Sequence, residues 1–264
     1  MKKRLLLKIQ YDGGLFSGYE KQIEKRTVRG VLEETLSSIF GEKISIDAVS
    51  RTDAGVHSLC QGVSFHVDTP IPVANLKKVI NSKLPSDIAV SYLTELKKNK
   101  GIRELVLHKE YEYLVFNGEV LPPIFSRYLF HVKRKLDFLS MKKAIKFIVG
   151  RHDFSSFCAA NSSVAKSGSK NFTRTILKAS ISKKKIGLWS GSQIEVISFK
   201  ITGDGFLYKM VRNIVGTLIE IGHGARKPED MNKILKGKMR SLGGKTAPPN
   251  GLALIDVKFD NISF

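Results

Sequence analysis

The stretch SRTDAGVHSLCQGVSFHV, residues 50–67, sets one carboxylate, Asp53, between an arginine and a threonine on one side and an Ala-Gly pair on the other. From Gln61 onward apolar and polar residues alternate, which is the period of a half-buried strand. ISIDAVS, residues 44–50, alternates in the same way. Residues 51–57 are therefore expected as a loop joining two strands. Such a loop has two readings. Asp53 can be a turn residue that accepts backbone N–H groups, with Gly55 supplying a permissive backbone angle. It can equally be a carboxylate kept ionised by nearby positive charge and available as a nucleophile or general base, with Ala54 and Gly55 small enough for a flat substrate to approach. The loop alone favours the turn, and composition does not decide.

Before this loop, residues 5–11 predict a strand followed by the turn sequence DGG. Residues 28–40 place Val28, Val31, Leu32, Thr35, Leu36 and Ile39 on one helical face, with Thr27 as N-cap and Gly41 as stop. A short helix follows over 72–81, a strand begins near Ile88, and residues 104–118 alternate as a long strand. Residues 136–150 predict an amphipathic helix with Asp137 near its start. Residues 159–171, rich in Ser, Ala, Lys and Asn, predict a mobile surface loop. Strands are expected at 173–182 and 193–202, then a turn and a helix over 206–221, a short helix from Pro228 and a final strand, LALIDVKF. There is a faint echo between strand, YDGG, VRGVLEETLSSI early in the chain and strand, GDGF, VRNIVGTLIEI late in it. These elements predict an α+β fold of two similar α/β halves, with a mixed, mainly antiparallel sheet and a central basic cleft.

The chain has 264 residues, 42% of them hydrophobic, enough for one large domain or two packed smaller ones. Its 44 Lys and Arg against 24 Asp and Glu give a formal charge of +20. An excess of that size draws in a polyanion, so nucleic acid is the expected partner. No apolar run spans a bilayer and no amphipathic segment sets a basic face against an aromatic one, so no membrane partner is expected. The short apolar run after MKKR is too brief for a signal peptide, and a cytoplasmic protein is expected. Cys60 and Cys158 stand far apart without histidines at metal spacing, which implies neither a disulfide framework nor a metal site. Glycine-rich signatures for dinucleotides or nucleotide phosphates are also missing.

RTDAGVH resembles the signature loop of the tRNA pseudouridine synthase A family, and six further segments resemble that family in the same order. They are SGYEKQ (17–22), TVRGVLEETL (27–36), KEYEYLVFN (109–117), GRHDFSSF (150–157), FLYKMVRNIVG (206–216) and APPNGLALIDV (247–257). Departures are modest: Ser50 stands where the family has Gly, Leu59-Cys60 where a small residue precedes Gln61, and Gly101-Ile102 where an aromatic pair precedes Arg103. They bear on substrate preference around the loop.

The resemblance implies the pseudouridine synthase fold and conversion of uridine in tRNA to pseudouridine, in the anticodon stem-loop at positions 38–40, with no cofactor. By the same resemblance Asp53 is the nucleophile, attacking C1′ of the ribose or C6 of the uracil. Tyr111 packs against the uracil, Arg212 is the ion-pair partner of the carboxylate, and Arg51 is an RNA contact that helps extrude the nucleotide. Arg103, Arg174, Lys209 and the loop from Lys166 to Lys170 are further expected RNA contacts. Tyr113 is the better core candidate on the Tyr111 strand. His57 is expected to be structural, because an already ionised carboxylate needs no base to activate it. Residues 1–100 would form the half carrying the Asp53 loop, and residues 101–264 the half carrying Tyr111 and Arg212. A homodimer is implied. Two other functions compete: an RNA-binding or RNA-folding protein without activity, and a glycoside hydrolase, for which Asp204 would have to be the second carboxyl group.

Overall fold

The computed structural model describes residues 2–97, 100–159 and 171–262. In chain order its strands are β1 (Lys3–Tyr11), β2 (Asp47–Ala48), β3 (His57–Val67), β4 (Ile88–Glu95), β5 (Val106–Asn117), β6 (Phe130–Val132), β7 (Gly150–Asp153), β8 (Thr173–Ile186), β9 (Ile194–Gly203) and β10 (Leu252–Phe259). Its α-helices are α1 (Val28–Phe40), α2 (Val73–Asn81), α3 (Phe138–Ala144), α4 (Met210–Gly222) and α5 (Asp230–Gly237). The chain forms two compact units, Met1–Leu107 with Ala253–Phe264, and His108–Leu252. The last strand thus returns to the unit that holds the Asp53 loop.

In the first unit β1 pairs antiparallel with both β3 and β4, β2 pairs antiparallel with β3, and β10 runs parallel to β3. Leu5, Leu7 and Ile9 of β1 and Val63, Phe65 and Val67 of β3 are buried against Leu32 and Leu36 of α1 and Leu76 and Ile80 of α2. The helix boundaries of α1 follow from its caps. Thr27 Oγ1 accepts the Gly30 N–H at 3.2 Å, and Gly41 stops the helix at φ 68°. Thr27 is buried, so Thr27→Ala removes the only part of its side chain that meets this amide; a stability loss of about 1 kcal/mol is expected in urea denaturation.

In the second unit β9 pairs antiparallel with β5 and β8, β7 pairs antiparallel with β8, and β6 runs parallel to β5. The sheet pairings are thus mixed and mostly antiparallel, as the sequence predicts for an α+β fold. Helix α4 is buried along almost its whole length and packs against α3. None of the helices among the described residues is long and apolar enough to cross a membrane.

Three elements differ from their sequence-based expectation, each for a local reason. Residues 44–50 form a strand only at Asp47–Ala48, because side chains of α1 take the amides that a longer ladder would use. Ile44 N–H donates to Ser37 Oγ at 2.9 Å and Ile46 N–H to Glu33 Oε1 at 3.1 Å, while both isoleucines enter the core. Burial alone would push the Glu33 carboxyl up, but its bonds with Lys21, Arg29 and that amide outweigh this and hold it below its ordinary value. The helix expected over 136–150 starts at its cap, Asp137, which accepts N–H bonds from Leu139 and Ser140. It then tightens to a 3-10 turn at Ile145–Ile148, and Gly150, at φ 110°, begins β7. The helix expected from Phe206 begins at Met210, because Lys209 sits at φ 59°, a left-handed backbone that cannot continue a helix.

Candidate active site

The Asp53 loop is held by backbone on two sides. Inside it, Val56 N–H donates to Asp53 O at 3.1 Å, and Gly55 takes φ 77°, closing a tight turn with Ala54 and Gly55 at its tip. The turn after β1 supports one flank. Gly13 N–H donates to His57 Nδ1 at 3.1 Å, and Gly13 lies so close to Val56 O that a Cβ there would overlap it. The segment SGY supports the other: Tyr19 N–H donates to Thr52 O at 3.1 Å, and Gly18, at φ 101°, packs against the backbone of Thr52 and Ala54. Tyr11 and Thr52 share a buried hydroxyl–hydroxyl hydrogen bond of 2.8 Å. Gln61 Nε2 donates to Ser50 O at 2.6 Å, fixing where the loop leaves the preceding segment. On the far side of β3, β10 aligns Ala253 with His57 and Leu254 with Ser58.

Asp53 itself is half-buried, with the exposed Ala54 beside it. His57 is buried and carries the loop's scaffold: its Nδ1 accepts from Gly13, which leaves the ring proton on Nε2. Asp12 Oδ1 lies 3.2 Å from the same nitrogen, but Nδ1 cannot donate there while it accepts the amide. Asp12 instead accepts the Gly14 N–H at 2.9 Å. Arg51 is exposed, with Nε 2.9 Å from Glu20 Oε1, and Arg103 Nε donates to Ala48 O at 2.8 Å.

In the second unit, Tyr111 of β5 is buried and meets Phe206 edge-on, with ring centroids 4.9 Å apart. Tyr113 is wholly buried; its hydroxyl donates to Pro248 O at 2.7 Å. Burial pushes its phenol far up, against a smaller opposing pull from the Arg212 charge, so Tyr113 serves the core as a neutral group. Arg212 is half-buried on the mostly buried α4, and its Nε donates to Ala247 O at 2.8 Å. Arg174 is turned back on its own backbone, its guanidinium donating to Thr173 O and Asn171 O. Lys209 Nζ lies 5.1 Å from the Tyr208 ring centre. The Lys166 to Lys170 contacts lie outside the described residues.

Asp204 accepts the Thr175 N–H through Oδ1 at 3.0 Å and donates its own amide to Thr175 O. It is a turn residue that joins β9 to β8. Leu252 and Leu254 are both buried. What the sequence reading did not single out is the scaffolding: Gly13, Gly18, Tyr11 and Gln61 around the loop, and residues 243–247 beside Arg212. The paired glycines in YDGG and LGGKTAP were the available signal, since adjacent glycines mark close backbone approach.

A carboxylate on a turn gripped by backbone at both flanks is preorganised, and small residues at the tip leave room for a planar ring. Comparison with known proteins agrees with the segments that resemble one family. The family described as tRNA pseudouridine synthase matches residues 9–99 and 144–260. A protein of Caldicellulosiruptor saccharolyticus named tRNA pseudouridine synthase A is 36% identical over 257 residues, covering 97% of this chain and 100% of that protein. Proteins of the same name from Anoxybacillus flavithermus and Oceanobacillus iheyensis are 39% and 40% identical, each covering 98% of this chain and 100% and 97% of their own. The Asp53 loop and its two flanking turns fall within the first matched segment, and the Arg212 helix with residues 243–247 within the second. On matches of that extent, the chain belongs to the tRNA pseudouridine synthase family.

Proposed function

We propose that this protein isomerises uridine to pseudouridine in the anticodon stem-loop of tRNA, at positions 38–40, with Asp53 as the nucleophile. The reaction breaks the N1–C1′ bond, turns the uracil and joins C5 to C1′. C5 loses a proton and N1 gains one, so the atoms balance with no oxidant, reductant or group donor. The observation that carries this reading is the doubly gripped Asp53 turn, within a chain that aligns over nearly its full length with proteins named tRNA pseudouridine synthase A. Asp53 attacks either C1′ of the ribose or C6 of the uracil, and both routes need the carboxylate ionised and fixed.

Tyr111 stacks on the uracil once the nucleotide has left the helix, since chemistry at C5 and N1 needs the base out of its stack. Arg212 is the proposed ion-pair partner of Asp53; burying either charge unpaired would cost several kcal/mol. Arg51, Arg103, Arg174 and Lys209 are proposed RNA contacts. Of these, Arg51 and Arg103 each commit one nitrogen within the protein and stay exposed, which suits a guanidinium that presents its remaining edge to phosphate. A homodimer acting in the cytoplasm completes the proposal, the formal charge of +20 suiting a long polyanion.

The test is to incubate purified protein with unmodified tRNA transcripts and no added cofactor, then map pseudouridine by carbodiimide treatment and primer extension. Product confined to the anticodon arm is the expected result. Tight, salt-sensitive binding without product on any transcript would favour the RNA-binding alternative.

A further inference from the structure

We propose that Arg240 is a positioning residue for Arg212, acting through residues 243–247, which lie along α4. The proposal rests on the assignment of Arg212 above and extends it to the groups that aim its guanidinium.

Arg212 meets Ala247 at two points: Arg212 Nε donates to Ala247 O at 2.8 Å, and Ala247 N–H donates to Arg212 O at 3.1 Å. The position of Ala247 therefore holds the Nε edge of the guanidinium. Ala247 is in turn placed by the residues before it. Gly244 N–H donates to Thr217 Oγ1 at 2.8 Å, and Lys245 N–H to Glu220 Oε1 at 2.9 Å, so the segment tracks α4 residue by residue. Gly216 makes the approach possible, because a Cβ there would overlap Lys245 O.

Arg240 closes this arrangement from outside. Its Nη1 donates to Gly243 O at 3.1 Å, and its Nη2 to Gly244 O at 2.9 Å, Asn213 Oδ1 at 3.0 Å and Thr246 Oγ1 at 3.2 Å. The Thr246 hydroxyl donates to Asn213 Oδ1 at 2.6 Å, while the Nδ2 of the fully buried Asn213 donates to Phe157 O at 2.7 Å. One planar fork thus ties the segment to the residue adjacent to Arg212. Lysine, a point charge without a fork, cannot reproduce that set of directions.

The experiment compares Arg240→Ala, Arg240→Lys, Thr246→Val and Arg212→Lys with wild type on one tRNA transcript. Single-turnover rates are measured across pH, alongside tRNA affinity and thermal unfolding. For Arg240→Ala the expected result is a rate loss of about tenfold to a hundredfold, the scale of a catalytic group misplaced by roughly 1 Å. Its acid limb should move in the same direction as that of Arg212→Lys, because both variants act on the same guanidinium. Affinity for tRNA should stay within about threefold, because phosphate contacts elsewhere supply the binding energy. Arg240→Lys should recover only part of the rate, and Thr246→Val, which removes two bonds and keeps the fork, should show a smaller shift of the same sign.

A merely structural role would lower the unfolding temperature and the active fraction while leaving the acid limb in place, and that result overturns the proposal. If Arg240→Ala does not fold, Thr246→Val decides, since an unchanged limb there overturns it equally. An Arg212→Lys enzyme indistinguishable from wild type would remove the assignment of Arg212, and this proposal with it. Altered Arg212→Lys beside unaltered Arg240 and Thr246 variants would remove the positioning alone.

Discussion

Asp53→Asn should abolish pseudouridine formation while leaving tRNA affinity within about threefold of wild type and the fold intact. The amide matches the carboxylate in shape, and the turn is held through backbone groups of Thr52, Asp53 and Val56 and through His57, none of which the substitution alters. What disappears is the negative charge and the oxygen proposed as the nucleophile. Losing a covalent nucleophile costs at least about 10⁴-fold in rate, so single-turnover primer extension should show no product above background. Binding should persist because a highly basic surface reads phosphates, and its affinity should fall with salt in the variant as in wild type. Residual product at a tenth of the wild-type rate would remove Asp53 from the chemistry and leave the turn as scaffolding.

Local physical signals are written in a sequence, and competition between distant segments is not. Helix α1 was legible to its last residue because all its determinants are local: a stripe of apolar residues, a threonine before it and a glycine after it. The strand of residues 44–50 was not, because its alternation is real but its amides are claimed by Ser37 and Glu33, and no window of seven residues can register that competition. Lys209 hides the start of α4 for a related reason. Lysine is an ordinary helix residue, and only the surrounding fold holds it in a left-handed conformation. At the candidate site, resemblance marked Asp53, Tyr111 and Arg212, the residues that would carry chemistry. It did not mark the backbone contacts that hold them, since an amide or a carbonyl has no letter of its own. Those contacts surface in the sequence only as glycines, wherever a side chain would be in the way.

Gly13→Ala tests that last point with a large expected effect. Gly13 is buried in the turn after β1, and a Cβ there would overlap Val56 O and crowd Val56 C and N. Every one of those atoms is backbone, so no side-chain rotation can relieve the clash, and either the turn after β1 or the Asp53 loop has to move. Movement also breaks the bond from Gly13 N–H to His57 Nδ1 and leaves a buried imidazole nitrogen without that partner. A stability loss of about 3 kcal/mol is expected, at the upper end for overpacking, read as a lower urea midpoint at unchanged slope. The folded fraction should still be slow, by about a hundredfold, because the residue displaced with Val56 is Asp53, the proposed nucleophile three positions earlier. Gly41→Ala supplies the contrast within the same unit. Gly41 has φ 68° with nothing within 4 Å of a Cβ, so alanine there bears only the backbone penalty of about 1–2 kcal/mol. Its rate per folded molecule should equal that of wild type. If Gly13→Ala behaved like Gly41→Ala, losing stability but no rate, the turn after β1 would be a support for the fold alone, and the position of Asp53 would be set by the SGY flank and Gln61.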